Sequence, residues 1–329
     1  MKSWKDIEIS PQSKILDPHY SGPIFIWDID KTYLATQFET LKGLIKTAFE
    51  KAHEKENIGG AATLLKELSQ GPTSQGQKNP IFFISASPKQ MRKVIEQKMK
   101  LDGIYFDGII FKDHFKHIYT GKFKKVKEQV GFKLKELLRL KLLFPAHSQQ
   151  YLFGDDYEKD ALIYSLYDKI CRHAVGHHSL QKILKNSGVL KGDIKDILIL
   201  KERIPLSNPV RHIYIHLEKK TDPKNILKYN SKIVPTFNSF QAALHLFQNK
   251  LISSHGVLRV AHDLIQNFSL SPQELSYWLE DALKRDVINY KLSFTIIQTL
   301  KKNKCIDSSF KITKWKWWWK RLKIKLQHP

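Results

Sequence analysis

Two aspartates one residue apart, Asp28 and Asp30, follow the apolar run Ile24-Phe-Ile-Trp27 and precede Thr32. Such a pair has the chemistry of a nucleophile beside a proton-transfer group: one carboxylate attacks while the other gives and takes a proton. In an extended chain this spacing puts both side chains on one side. The string alone is only moderately specific, because Asp-x-Asp pairs also serve as turn formers and solvated acids. Two more apolar runs end in polar groups. Ile81-Phe-Phe-Ile84 ends in Ser85-Ala86-Ser87-Pro88, and Tyr151-Leu-Phe153 ends in Gly154-Asp155-Asp156. As neighbouring strands, the three runs would bring Asp28, Ser85 and Asp155 to one cleft.

The segments between these runs predict the elements that position them. Residues 1–22, with Pro11 and Pro18, read as an irregular lead-in, and Gly22-Pro23 opens the first strand at 24–28. Apolar residues at helical spacing predict a helix over 37–55, Gly59-Gly60 breaks it, and 61–69 reads as a second, shorter helix. Residues 71–80 have loop composition, 89–100 reads as helix, and Gly108–Phe111 is strand-like. A long basic helix over 122–143 stops before Pro145, and a helix over 159–172 follows the Asp155 run. Residues 175–200 look helical with a break at Gly192. His212–His216 alternates like a strand, 232–237 reads as a last strand, and 239–249 reads as helix. This alternation predicts an α/β fold, a three-layer parallel sheet with its chemistry at the carboxyl ends of the strands. The expected domains are 1–250, a helical appendage over 251–310, and a basic tryptophan-rich tail over 311–329.

Composition narrows the classes. The chain has 329 residues, 42% of them hydrophobic, enough for a packed core. Its only two cysteines, Cys171 and Cys305, exclude a disulfide framework and a cysteine-rich zinc site. The N-terminus has no apolar stretch of the secretory kind, and no segment approaches the roughly 20 apolar residues of a membrane span. The expectation is a cytoplasmic protein, with membrane association left open. A net charge of +23 predicts attraction to polyanions, whether nucleic acid, anionic lipid or phosphorylated substrates, without choosing among them. A simply lysine-rich proteome is the bland account of the same charge.

The ordered set Asp28-x-Asp30-x-Thr32, Ser85, a lysine and Gly154-Asp155 resembles the haloacid dehalogenase superfamily. Phe83-Ile-Ser85-Ala86-Ser87-Pro88, Gly108-Ile-Ile-Phe-Lys112-Asp113 and the stretch from Gly154 to Tyr164 are similar to elements of the actin-patch-protein and lipin type of phosphatidate phosphatase. The resemblance covers roughly residues 22–250, and Lys133, twelve residues before Pro145, falls at that family's lysine. Lys31 stands where the family has a further aspartate, Asp156-Tyr157 replace Ser-Gly, and Ala161 replaces a proline. The resemblance implies a haloacid dehalogenase-like Rossmannoid core and a Mg²⁺-dependent phosphatase working through an aspartyl-phosphate on Asp28. Asp28, the backbone carbonyl of Asp30, and Asp155 would hold the ion, with Asp160 orienting its waters or Lys133. Asp30 would act as acid and base, and Ser85 and Lys133 would bind the phosphoryl oxygens. Thr32, Ala86 and Ser87 would line the substrate site. Other lysines compete with Lys133 for this role: Lys122, Lys124, Lys125, Lys127 and Lys135. Only 48 residues separate Thr32 from Ile81, so no large cap is expected there and the site should be accessible.

Two features stand apart. His173, His177 and His178 cluster, as do His114 and His117, and the bland account of both groups is surface histidines. Residues 311–325 hold four tryptophans and seven lysines or arginines with no acid. Tryptophan favours the bilayer interface and lysine attracts anionic lipid, so Trp315–Lys325 is expected to contact a membrane peripherally. Single-stranded nucleic acid, and packing back on the domain, are the alternatives. The leading expectation is a lipid phosphatase acting on a substrate such as phosphatidate. A phosphatase of soluble or nucleic-acid phosphate monoesters, and a non-catalytic lipid- or RNA-binding protein, are the alternatives.

Overall fold

The structure is a computed structural model and describes residues 8–9, 16–35, 57–73, 78–112 and 122–311. The helix expected over 37–55, Asp113, His114, His117 and the tryptophan tail lie outside these residues.

The apolar runs build one seven-stranded sheet. Its strands are β1 (Glu8–Ile9), β2 (Pro23–Trp27), β3 (Ile81–Pro88), β4 (Gly108–Lys112), β5 (Gln149–Asp155), β6 (Val210–His216) and β7 (Ile233–Thr236), in the order β1-β4-β3-β2-β5-β6-β7. From β4 to β7 every pairing is parallel, and only the two-residue edge strand β1 runs antiparallel, against β4. Helices α1 (Ala61–Gln70) and α2 (Arg92–Leu101) follow β2 and β3, and α3 (Lys122–Leu143) leads into β5. Helices α4 (Asp160–Cys171), α5 (His177–Asn186) and α6 (Lys191–Lys201) precede β6, and α7 (Pro223–Leu227) precedes β7. After β7 come α8 (Ser239–Gln248), α9 (Ser254–Phe268), α10 (Pro272–Lys284) and α11 (Tyr290–Lys302).

The central strand shows why the fold has three layers. Successive side chains of a strand face opposite sides. Ile24 and Ile26 enter one core with residues of α3 to α7, while Phe25 and Trp27 enter the other with residues of α1, α2 and α8 to α11. The helices after residue 251 therefore share a core with the sheet. Polar ties reinforce them: Arg259 grips Glu67 of α1, and Gln241 Nε2 of α8 donates to the Trp278 carbonyl of α10 at 2.9 Å.

The order of strands also sets a reversal. From β2 the chain builds outward through β3 to β4, then returns to place β5 on the other side of β2. In open α/β sheets ligands bind in the crevice at such a switch point, outside the carboxyl ends of the strands. Asp28 follows β2 and Asp155 ends β5, so both acids flank that crevice.

Three details differ from the sequence reading. The lead-in contributes a strand, β1, too short to leave a periodic signal. β3 continues through Pro88, with a register shift against β4 between Ser85 and Pro88. The break in 175–200 falls at Ser187–Leu190, where Gly188 takes the left-handed φ of 77° that glycine adopts freely; Gly192 lies inside α6.

Candidate active site

Strand ends and helix starts deliver the charged groups. Asp28 N–H donates to the Phe153 carbonyl at 2.9 Å, which extends the β2–β5 pairing to the acid itself. Asp28 continues the parity of Ile24 and Ile26, toward the layer containing α3 and α4. From that layer come Lys133 and Asp160. Lys133 Nζ is 2.8 Å from Asp28 Oδ1, 2.7 Å from Asp160 Oδ1 and 2.8 Å from Glu158 Oε2, and its side chain is 1% exposed. Gly154 makes room for this packing: a Cβ there would sit 2.3 Å from Asp160 Oδ2. The space taken by Asp160 is thus why glycine precedes Asp155.

Asp155 is held by its own loop. Its Oδ1 accepts the backbone N–H of Tyr157, and that of Glu158 at 2.9 Å, while its own N–H donates to Asp160 Oδ2 at 3.2 Å. Thr32 Oγ1 lies 3.5 Å from both Asp28 Oδ2 and Asp155 Oδ2, bridging the two strand ends. Asp30 faces the third strand: its Oδ2 accepts Ser87 Oγ at 2.6 Å and Ser85 Oγ at 3.2 Å. Ser85 Oγ in turn accepts the Ser87 N–H at 3.0 Å, which fixes the bulged end of β3. Ala86 is half-buried against the core that holds Ile24 and Ile26.

The structure thus brings Asp28, Asp30, Thr32, Ser85, Ala86, Ser87, Lys133, Asp155 and Asp160 to one place. Glu158 joins them. It lies within the stretch similar to the phosphatidate phosphatases but received no role from the sequence, and its position three residues after Asp155 was the available signal. Asp156 is turned away from the acids and accepts the backbone N–H groups of Lys219 and Thr221, at 2.9 and 3.2 Å. Lys31, at a left-handed φ of 62°, sends Nζ to the Ala35 carbonyl at 2.8 Å.

Burial shifts these carboxyls most, and crowding of like charges adds to it. Burial lifts Asp28 well above the usual carboxylate range; Lys133 opposes this, and Glu158, Asp160 and Asp155 reinforce it. Burial, then Asp160 and Glu158, lift Asp155 likewise. Asp30 is raised to about 6, by burial and then Glu158, against the hydrogen bonds of Ser87 and Ser85. Asp160 is raised to about 6 by burial, with Lys133 opposing. For Lys133, burial is outweighed by Asp160, Asp28 and Glu158, so the ammonium is held well above its ordinary value.

Five carboxylates face one buried lysine, a balance that calls for a further cation. Oxygens of Asp28, Asp155 and Asp160 lie within 4.8 Å of one another, as a metal ion requires. Asp30 Oδ1 is buried and accepts no hydrogen bond among the described residues, and Asp28 Oδ1 faces the Lys133 ammonium at 2.8 Å. An all-oxygen donor set with uncompensated charge fits a hard divalent ion. Asp30 takes no part in that carboxylate cluster. Among the described residues the histidines form no such group: His173 Nε2 meets the Ile204 carbonyl at 2.9 Å, and His177 lies 3.8 Å from Glu202.

Residues 24–176 match the family described as phosphatidate phosphatase APP1, catalytic domain. No curated protein matches the chain. A solved structure of a Pnkp1/Rnl/Hen1 complex aligns at 16% identity with a TM-score of 0.30, over 46% of this chain and 45% of that one. The chain so spans less than half of that relative, and a likeness this low carries no argument. The matched segment holds Asp28, Ser85, Lys133 and Asp155.

Proposed function

We propose that this chain is a Mg²⁺-dependent phosphatase of a lipid phosphate such as phosphatidate, working through an aspartyl-phosphate on Asp28. The observation that carries the reading is the meeting of Asp28, Asp155 and Lys133 at the sheet's switch point, inside a segment matched by a phosphatidate phosphatase family. Asp28 and Asp155, with the Asp30 carbonyl, would hold the ion. When bound, the ion neutralises charge that would otherwise repel an anionic phosphoryl group from an anionic nucleophile.

The residues divide the remaining work. An Asp28 carboxylate oxygen attacks phosphorus as the bond to the leaving oxygen breaks. Asp30, its Oδ2 tied by Ser85 and Ser87, carries its proton on the free Oδ1 and delivers it to that leaving oxygen. The resulting carboxylate then takes a proton from the water that attacks phosphorus, the Asp28–phosphorus bond breaks, and phosphate departs. Lys133 stabilises charge on the phosphoryl oxygens, and Asp160 and Glu158 hold its ammonium in place. Ser85, Ala86 and Ser87 at the end of β3, with Thr32, line the phosphoryl subsite. Among the described residues no helix is long and apolar enough to cross a membrane. A lipid substrate would therefore be met at the bilayer surface, with Trp315–Lys325 as the contact.

The test is phosphate release from phosphatidate in mixed micelles, with Mg²⁺ or EDTA, for wild type and Asp28→Asn. Release that needs Mg²⁺ and vanishes in the variant is expected. Full activity of the variant would overturn the mechanism. Faster turnover of a phosphorylated oligonucleotide or soluble ester would move the substrate away from lipid.

A further inference from the structure

Helices α5 and α6 form a hairpin that contributes no residue to the acid cluster. Its inner face belongs to the core, where Leu180, Leu184 and Ile197 are fully buried. Its outer face carries a groove of about 520 Å³, within the range of small-molecule sites. Ile194, Leu198 and Ile199 give the groove its apolar floor, and Lys185, Lys191, Lys195 and Glu202 lie along it. Ile199 of that floor is 52% exposed, and Leu190, which directly precedes Lys191, is 49% exposed. Apolar side chains offered to solvent together mark a contact surface more often than single ones do.

The charges on the hairpin select the occupant. Its acids are already matched: Asp193 and Asp196 pair with Lys135 of α3, and Glu202 pairs with Lys201 at 3.1 Å. Lys185, Lys191 and Lys195 make no ion pair or side-chain hydrogen bond among the described residues. The groove is therefore apolar at its base and cationic at its edge, the complement of an anionic amphiphile. The chain's own tail is a poor occupant, because residues 311–325 contain no acid and carry the same charge as the rim.

We propose that the α5–α6 groove docks an anionic membrane lipid, its acyl chain against Ile194, Leu198 and Ile199 and its headgroup on Lys185, Lys191 and Lys195. This is a membrane-docking face separate from the catalytic centre, and it does not rest on the phosphatase reading, because binding is read without turnover. Each lysine near an anionic surface contributes roughly fivefold to binding. The full chain is tested by co-sedimentation with phosphatidylcholine vesicles, with and without phosphatidylserine. Wild type should prefer the anionic vesicles. The variant Lys185→Gln/Lys191→Gln/Lys195→Gln should lose about a hundredfold in affinity for them. Ile199→Gln, a surface change that spares the fold, should lose several-fold. Both variants should melt as wild type does. Equal binding to neutral vesicles, or unchanged binding by both variants, would overturn the proposal. So would loss of binding only when Trp315, Trp317, Trp318 and Trp319 are replaced by alanine. Binding of an acidic amphipathic peptide in solution, without vesicle binding, would assign the groove to a protein partner instead.

Discussion

Helix α4 carries two buried aspartates eight residues apart, Asp160 and Asp168, and the surroundings of the two are opposite. Asp168 is saturated. Its Oδ2 accepts Arg172 Nε at 3.0 Å, Arg172 Nη2 at 2.8 Å and Asn230 Nδ2 at 2.9 Å, and its Oδ1 accepts Lys232 Nζ at 2.6 Å. Burial alone would raise its pKa, but the hydrogen bonds of Lys232, Arg172 and Asn230 outweigh it, and the carboxyl is held below its ordinary range. Asp160 shares one lysine with Asp28 and Glu158, and burial, with the charge of Glu158 added, pushes it up to about 6 against the pull of Lys133. One end of the helix is assembled as a fold would have it. The other accumulates charge that the fold alone does not explain, and clusters of that kind mark sites of chemistry.

The contrast can be broken at either end. Asp28→Asn should lower turnover by at least about ten-thousandfold, as removal of a nucleophile does. It should leave the metal-free melting temperature no lower than wild type, since one repelling charge is gone; a large drop in stability would make the cluster structural. Lys133→Met should cost about a thousandfold in rate. It should also lower the melting temperature, with partial recovery on adding Mg²⁺, because Asp28, Glu158 and Asp160 then lack the buried ammonium that pairs with them. Asp168→Asn should do the reverse, losing about 3 kcal/mol in urea denaturation while activity per folded molecule persists. Mg²⁺ at about a hundred times its dissociation constant should stabilise wild type by about 2.7 kcal/mol. Asp28→Asn/Asp155→Asn should show no such gain in calorimetry.

The smallest effect sharpens the comparison with a neutral group. His245 of α8 is buried against His212 and Tyr214, its Nδ1 3.0 Å from the Tyr214 hydroxyl and 3.3 Å from Asn249 Nδ2. Burial, then His212, depress its pKa from 6.5 to about 3. The unfolded chain thus binds the proton first, and stability present above pH 6.5 is lost as pH falls toward about 3. His245→Gln should flatten the acid limb of stability against pH; an unchanged slope would show that His245 is not among its causes.

Much of this was legible in the sequence because strands buried on both faces are written as continuous apolar runs. β2 and β3 each opened a visible run whose end carried a polar group, and β5 was visible at its centre, 151–153. The Asp28-x-Asp30-x-Thr32 string was informative only in company, since its meaning depends on groups up to 132 residues away. Lys133 could not be separated from its neighbours by composition; what distinguishes it is that α3 turns it inward, next to Asp28 and Asp160. Glu158 was hidden for the same reason, because an acid in a loop is ordinarily solvated and only the packing shows it reaching a buried lysine. Strand β1 was too short to show a local pattern, whereas the break at Gly188 is a local helix-ending glycine passed over in favour of Gly192.

The stacked rings Trp27, Phe153 and Tyr214 cross β2, β5 and β6, with centroids 4.2 and 4.6 Å apart. The matched family segment ends at residue 176, so it contains the first two rings and omits the third together with β6 and β7. The boundary of kinship is therefore not a boundary of folding. A fragment cut at 176 would bare the long edge of β5 and one face of Phe153, a surface that recruits other chains. Its expected fate is aggregation in inclusion bodies, which would say nothing about whether its catalytic residues are competent.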